Sequence, residues 1–391
     1  MVPADWDIKR IEGLTPHGKK YGIVDGPFGS NLKTEHYRKS GIPIITSGYV
    51  TDGHFSADEY LYVDKEKFKQ EKRSAVKGGD IVMAKIGARC GASAILPKNH
   101  AEGILSGNAL KISIDENRFS TFFVWQILWD LYSRGDLESI RSTGAQPALS
   151  MASLKKYQIA IPTVKAEQED IATALSDADE LIDKLKLLIA KKRNIKRGAM
   201  QELLTGKRRL HGFSGDWEYC SFVNIWLKTY PKSQVSSGNG NPLGDFILFV
   251  SGEENKKIDI ATHKNTTALI FSDGGFFNVR YFRGDFSVTD HCVVLTLNQD
   301  NIFYYHWLTL NSKNLDSQTF KGSGLRNLDK KELARVEVPK PSLQEQSAIA
   351  CVLSDMDTVI EKLETQLIKY QNLKQGMMQV LLTGKIRLPS H

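Results

Sequence analysis

A 36-residue segment occurs twice in this chain, 178 residues apart. Residues 175–210 read LSDADELIDKLKLLIAKKRNIKRGAMQELLTGKRRL, residues 353–388 read LSDMDTVIEKLETQLIKYQNLKQGMMQVLLTGKIRL, and 20 of 36 aligned positions are identical. A duplication this long and this far apart makes the chain two similar halves in tandem, expected to act twice about a pseudo-two-fold axis. Each copy sits in an a/d stripe. The first runs through Ile171, Leu175, Ala178, Ile182, Leu185 and Ile189, the second through Ile349, Leu353, Met356, Ile360, Leu363, Leu367 and Tyr370, in the same phase. Apolar residues alternating at spacings of four and three are the sequence form of a coiled-coil seam. Lys192 and Lys196 interrupt the first stripe where the second has Tyr370 and Lys374. No proline breaks either segment, and the shared Thr-Gly-Lys offers Gly206 and Gly384 as terminators. Two rods of roughly 60 Å, at 1.5 Å per residue, are predicted to pair antiparallel. The alternative is that each packs on its own globular half.

A proline-bearing extended segment and a Glu-Gln pair announce each helix: Ile159–Pro162 with Glu167-Gln168, and Val336–Pro339 with Glu345-Gln346. Upstream of each lies a different texture, rich in Gly, Ser, Asn and aromatics. It carries short β-like runs at 42–46, 80–84, 109–113, 267–271 and 292–296, and predicted helices at 121–132 and 302–310. The fold class expected is α+β: two globular mixed α/β domains separated by two long helices packed as an antiparallel coiled coil. The segments are 1–158, a first domain; 159–210, a first helical spacer; 211–335, a second domain; and 336–391, a second spacer. The two globular regions resemble each other much less than the two helices do.

The 391 residues suffice for two to four domains. A formal net charge of +7 favours an anionic partner such as nucleic acid, and equally fits an ordinary basic surface. Four scattered cysteines (Cys90, Cys220, Cys292, Cys351) form no CxxC, so neither a zinc site nor a disulfide frame is indicated. Without a leader-like start or an apolar run of spanning length, a reducing cytoplasm and no membrane are expected.

Catalytic motifs are sparse. There is no GxxxxGK[ST] loop, HExxH or GxSxG. Asn241-Pro242-Leu243-Gly244 lacks the second proline and aromatic of an adenine-methylase motif and reads as a turn; His291-Cys292 suits strand alternation rather than metal ligation. Features suited to DNA are more plentiful. Gly26-Pro-Phe-Gly-Ser30-Asn31-Leu-Lys33 is a flexible loop with amide and cationic donors, and Lys85-Ile-Gly-Ala-Arg89 sets two cations around small residues after a strand. Ser272-Asp-Gly-Gly275, leading to Arg280 and Arg283, is its apparent counterpart. Ser142-Thr143-Gly-Ala-Gln146 precedes the first helix as Lys321-Gly-Ser-Gly-Leu-Arg326-Asn327 precedes the second. Backbone N–H groups and cations suit phosphates, while Asn, Gln and Arg suit adenine and guanine edges. Each of these residues alone is equally a solvated loop residue; their recurrence in both halves makes the case. The cluster Lys191-Lys-Arg193, Lys196-Arg197 and Lys207-Arg-Arg209 either faces phosphates or is the solvated face of a coiled coil.

The duplicated helices with Glu-Gln leads and Leu-Leu-Thr-Gly-Lys ends, each behind a globular region, give the whole chain a resemblance. Together with GPFGSNLK at 26–33, Gly41-Ile-Pro43 and DIVMAKIGARCG at 80–91, they are similar to the specificity subunits of type I DNA restriction–modification systems. The resemblance implies a non-catalytic DNA reader in which each target-recognition domain reads one half of a split double-stranded site. It also implies that the paired helices fix the separation and dock two methyltransferase subunits, which carry S-adenosylmethionine, with restriction/motor subunits as possible additions. It implies no metal and no cofactor in this chain. Residues 211–245 do not repeat the GPFGSNLK opening, so residue-level equivalence of the halves is not established by sequence. Two rival classes remain at this stage: a coiled-coil scaffold whose heads bind protein, and a bifunctional restriction–modification polypeptide with a degenerate catalytic site.

Overall fold

The computed structural model describes residues 2–388 apart from Lys19, Thr143, Ala145, Glu253 and Leu325, and leaves the Ser30 side chain undescribed. The chain divides into two compact units, Met1–Lys184 with Ile368–His391, and Leu185–Leu367. Each unit thus holds one globular domain and a part of each long helix. The helices run Lys165–Leu203 and Leu343–Leu381, 39 residues each. Both end as expected. Gly206 and Gly384 take left-handed φ of 70° and 68°, and a wide turn closes past each, Arg208 N–H to Glu202 O and Ile386 N–H to Val380 O, both 3.2 Å.

Within the first unit, Ile171, Ala172 and Leu175 share a buried core with Met378, Leu381 and Leu382, and Lys374 Nζ donates to Asp179 at 2.6 Å. Rising numbers on one helix meet falling numbers on the other, so the pairing is antiparallel. The second unit repeats it. Met200 and Leu203 meet Ile349, Ala350 and Leu353, Lys196 Nζ donates to Asp357 at 2.5 Å, and Arg193 donates to Glu364 at 2.6 Å. Of the predicted stripe, Ile171, Leu175, Ile182, Leu185, Ile349, Leu353 and Ile360 are buried, while Leu363 and Leu367 are half-buried. Lys196 and Lys374, which break the apolar pattern, each form an ion pair across the seam, one in each unit. A lysine stem buries along apolar surface while its ammonium finds a partner at the edge.

The Glu-Gln leads are joints between helix and globular domain. Gln168 is fully buried; its Nε2 donates to Pro162 O at 2.9 Å and its Oε1 accepts from Ser120 N–H at 2.8 Å. Ser120 caps the aromatic-rich helix Thr121–Ser133. Gln346 repeats this with Pro341 O (2.8 Å) and the N–H of Asp300 (3.0 Å), the cap of helix Asn301–Leu310. Glu345 accepts Arg209 Nε and Nη2, both at 2.6 Å, and Trp217 Nε1 at 3.1 Å. Glu167 likewise accepts from Arg387 and from Trp6 Nε1, with Asp5 completing the knot on the same guanidinium. The strands Trp6–Arg10 and Glu218–Ser221 then pair antiparallel with Gln158–Pro162 and Glu337–Lys340.

The globular domains are more alike than their sequences suggest. In the first, Ile23–Asp25, Ala109–Ile112, Ile81–Ala84 and Ser93–Ile95 form an antiparallel sheet in that order; a second sheet orders Tyr62–Val63, Ile42–Ile45, Gly103–Leu105 and Ala75–Val76. In the other, one six-stranded sheet orders Trp226–Thr229, Cys292–Leu297, His263–Ser272, Val279–Val288, Phe246–Phe249 and Lys256–Ile258. The ten-residue strand Val279–Val288 does the work of two short ones. It pairs antiparallel with His263–Ser272, as Ser93–Ile95 does with Ile81–Ala84, and parallel with Phe246–Phe249, as Gly103–Leu105 does with Ile42–Ile45. One topology is therefore built twice.

Candidate nucleic-acid interface

In the first domain, backbone bonds draw five loops to one end of the sheet. Gly26 N–H donates to Ala109 O at 3.0 Å, Ser106 N–H to Ile45 O at 2.9 Å, and Lys85 N–H to Asn108 O at 2.8 Å. Gly87 N–H donates to Pro147 O and Leu149 N–H to Lys85 O, both at 2.9 Å. The approach at residue 26 requires glycine: a Cβ there would sit 2.0 Å from Ser106 O. The loops 26–33, 46–51, 85–91, 106–108 and 141–149 thereby form one junction. Asn31, Lys33, Arg89 and Gln146 are exposed on it, with Arg89 Nη1 lightly held by Thr51 Oγ1 at 3.4 Å. Lys85 is drawn inward: its ammonium lies 2.5 Å from Asp25 and 4.1 Å from the Phe28 ring centre. The Ser30 side chain lies outside what is described; its backbone belongs to the short 3-10 turn Gly29–Asn31. Thr143 lies outside the described residues.

The second domain repeats four of these five bonds. Asp273 N–H donates to His291 O at 2.9 Å, Thr289 N–H to Phe249 O at 2.9 Å, Gly275 N–H to Arg326 O at 2.8 Å, and Leu328 N–H to Asp273 O at 3.0 Å. Lys85, Gly87, Ser106, Asn108 and Pro147 thus answer to Asp273, Gly275, Thr289, His291 and Arg326. Gly87 and Gly275 both take positive φ, 104° and 90°. The missing GPFGSNLK opening also has a structural answer: after the equivalent strand, Ser237–Asn239 forms a 3-10 turn as Gly29–Asn31 does.

The register separates the candidates of the second domain into two kinds. Arg283 and Asn327 are exposed. Arg280 is turned into the domain: Nη2 donates to Val250 O at 2.6 Å, Nη1 to Asn255 at 2.9 Å, and the guanidinium packs on Phe249. Burial pulls its pKa below the usual arginine value. Arg326 is likewise bonded to Asp316 Oδ2 at 2.8 Å and to the carbonyls of Asp316 and Phe320. Lys321 pairs with Asp329 and Glu332 at 3.1 and 3.2 Å, which raises its pKa. Position 273, answering to Lys85, is acidic, so the apparent sequence counterpart of the Lys85–Arg89 run is its counterpart in backbone only. In the helical basic cluster, Arg193, Lys196, Arg208 and Arg209 are all ion-paired, while Lys191, Lys192, Arg197 and Lys207 are exposed.

Asn108, Ser47, His291, Asn239 and the half-exposed Phe276 also line these junctions and carry no motif; only strand register brings them forward. Among the described residues, no group of three His, Cys, Asp or Glu side chains is placed to hold a metal ion, and no helix is long and apolar enough to cross a membrane.

Comparison with known proteins agrees with this architecture. The family described as type I restriction modification DNA specificity domain matches residues 3–192 and 228–370. A putative type I restriction enzyme specificity subunit, MjaX, of Methanocaldococcus jannaschii is 23% identical over 419 aligned positions, covering 99% of this chain and 95% of the relative. A crystal structure of a type I restriction–modification S subunit from M. genitalium superposes with a TM-score of 0.65 at 16% identity, over 100% of this chain and 97% of that one. A chain from a study of complex assembly and conformational transition in a type I R-M system gives 0.58 at 13% identity, over 99% and 100%. At these identities the structural likeness is one of fold.

Proposed function

We propose, since this chain belongs to the family of type I restriction–modification DNA specificity domains, that it selects a bipartite double-stranded DNA target for a larger enzyme. Each globular domain reads one half-site, and the paired helices of segments 159–210 and 336–391 set the unread spacing. The chain catalyses nothing itself; it recruits methyltransferase subunits, which hold S-adenosylmethionine, and restriction subunits. The observation that carries this reading is the doubled loop junction, with one set of backbone bonds presenting different side chains in each domain. A scaffold reused for two different short sequences needs that combination: constant positioning and variable base-reading groups.

Cations exposed on the first junction, Lys33 and Arg89, supply phosphate contacts, and the neutral Asn31 and Gln146 address base edges. Arg283 and Asn327 take those roles in the second domain. The chain co-expressed with its methyltransferase partner is to be tested by mapping methylated adenines genome-wide. A split motif with a fixed gap is expected, and inserting residues beside Thr205-Gly206 changes the gap while leaving both half-sites intact. A motif without a gap, or one whose half-sites both respond to a change in one domain, overturns the reading.

A further inference from the structure

We infer that Asn108 is a base-reading residue of the first domain. The inference rests on the DNA-reading function proposed above and adds a specific residue to it. Asn108 is exposed and follows the tight Ser106–Gly107 approach at the centre of the five-loop junction. Its Oδ1 accepts from Ser47 N–H at 3.3 Å and from Ser106 Oγ–H at 2.5 Å. A backbone N–H only donates, so the atom facing Ser47 must be the amide oxygen, and the orientation of the amide is settled. The NH2 group therefore points away from its two holders, with no protein acceptor among the described residues. Its backbone is fixed as well, because Asn108 O accepts from Lys85 N–H.

A neutral side chain held at two points on a fixed backbone, with a free donor, suits base recognition. Phosphate contacts come from flexible cations, of which Lys33 and Arg89 stand on the same junction; a rigid, uncharged amide contributes little attraction to a phosphate and much geometric selectivity. With only donor hydrogens outward, Asn108 selects a base whose major-groove edge offers an acceptor (guanine O6 or N7, thymine O4, adenine N7) and discriminates against cytosine, which presents only a donor. The second domain seats His291 at the same backbone position, exposed and 3.7 Å from Asp290. A different side chain at the same seat is what two different half-sites require.

Asn108→Asp tests this directly. The aspartate keeps both internal acceptor bonds and turns the outward group from donor to acceptor. The full chain, with its methyltransferase partner, is mapped for methylated adenines and assayed for binding on duplexes varied one base pair at a time. Discrimination against cytosine at one position of one half-site is expected to turn into preference for it, by about tenfold or more, with the other half-site unchanged. Unaltered preference overturns the inference, and so does uniform weakening on every sequence, which marks a phosphate contact. Should Asn108→Asp abolish methylation, Asn108→Ala in the same complex decides: relaxed choice at one base pair supports the assignment and retained choice sinks it. Wild-type complex yielding no split motif defeats the functional reading itself, independently of either variant.

Discussion

The first domain assembles its sheets from short strands and presents lysine, asparagine and serine at its loop junction. The second uses two ten-residue strands and presents aspartate, histidine and threonine at matching positions. Beneath that difference the joints are the same: a buried glutamine to a helix cap, a glutamate in an Arg–Trp knot, a lysine–aspartate pair on the seam. What recurs attaches the domain to its helices, and what varies faces outward. The residues that fix each domain to its helices are thus separate from those that differ between the two loop junctions.

The comparison is broken most severely at the knots. Glu345 is almost wholly buried beneath Arg209 and Trp217, so Glu345→Ala removes the bonds of both and should cost about 1–3 kcal/mol in urea unfolding. Glu167→Ala should cost less, because Glu167 is more exposed; an equal or larger loss would contradict the asymmetry. Acid offers a second contrast. Counted from their matched caps, buried His306 answers to buried Gln126. Burial, aided by Lys196 and opposed by Asp357 and Asp300, lowers the His306 pKa to about 4. Unfolded chain binds the proton near pH 6.5 and the folded chain resists it, so stability is full above that value and falls as pH drops from 6.5 toward 4. The loss is about 3 kcal/mol. His306→Gln should flatten that profile, and a melting curve of the variant that keeps the acid slope assigns it to another group.

Smaller effects sharpen the picture. Lys374→Met and Lys196→Met should each cost about 1 kcal/mol, and by similar amounts, if the two seams are equivalent; denaturant midpoints decide. At the bottom of the scale, Arg89→Ala should leave stability within about 0.5 kcal/mol while lowering the salt slope of DNA binding by about 0.9. Arg280→Ala should do the reverse, lowering the melting temperature first.

Much of this was legible in the chain. The helices, their Thr-Gly-Lys ends, the aromatic helices and most core strands follow from periodicity and punctuation, because burial and backbone geometry act locally there. The Glu-Gln pair was visible as a marker but not as a joint, since its partners Ser120, Arg387, Asp300 and Arg209 are distant in sequence. Arginine type alone could not separate Arg283 from Arg280 or Arg326: strand alternation and a nearby carboxylate decide which guanidinium is spent inside. Asn108 and His291 carry no signal at all without register, because an asparagine and a histidine in loops are commonplace.

The knot around Glu167 draws on Arg387 and on Asp5 and Trp6, whereas the one around Glu345 uses residues 209–217. The order of synthesis therefore inverts the order of completion. The second unit has all its parts once residue 367 has left the ribosome, while the first, translated earliest, waits for the closing helical turn and Arg387. A nascent chain halted before that point has every residue of the second unit, but its Ile171 and Leu175 still lack the cover of Met378, Leu381 and Leu382.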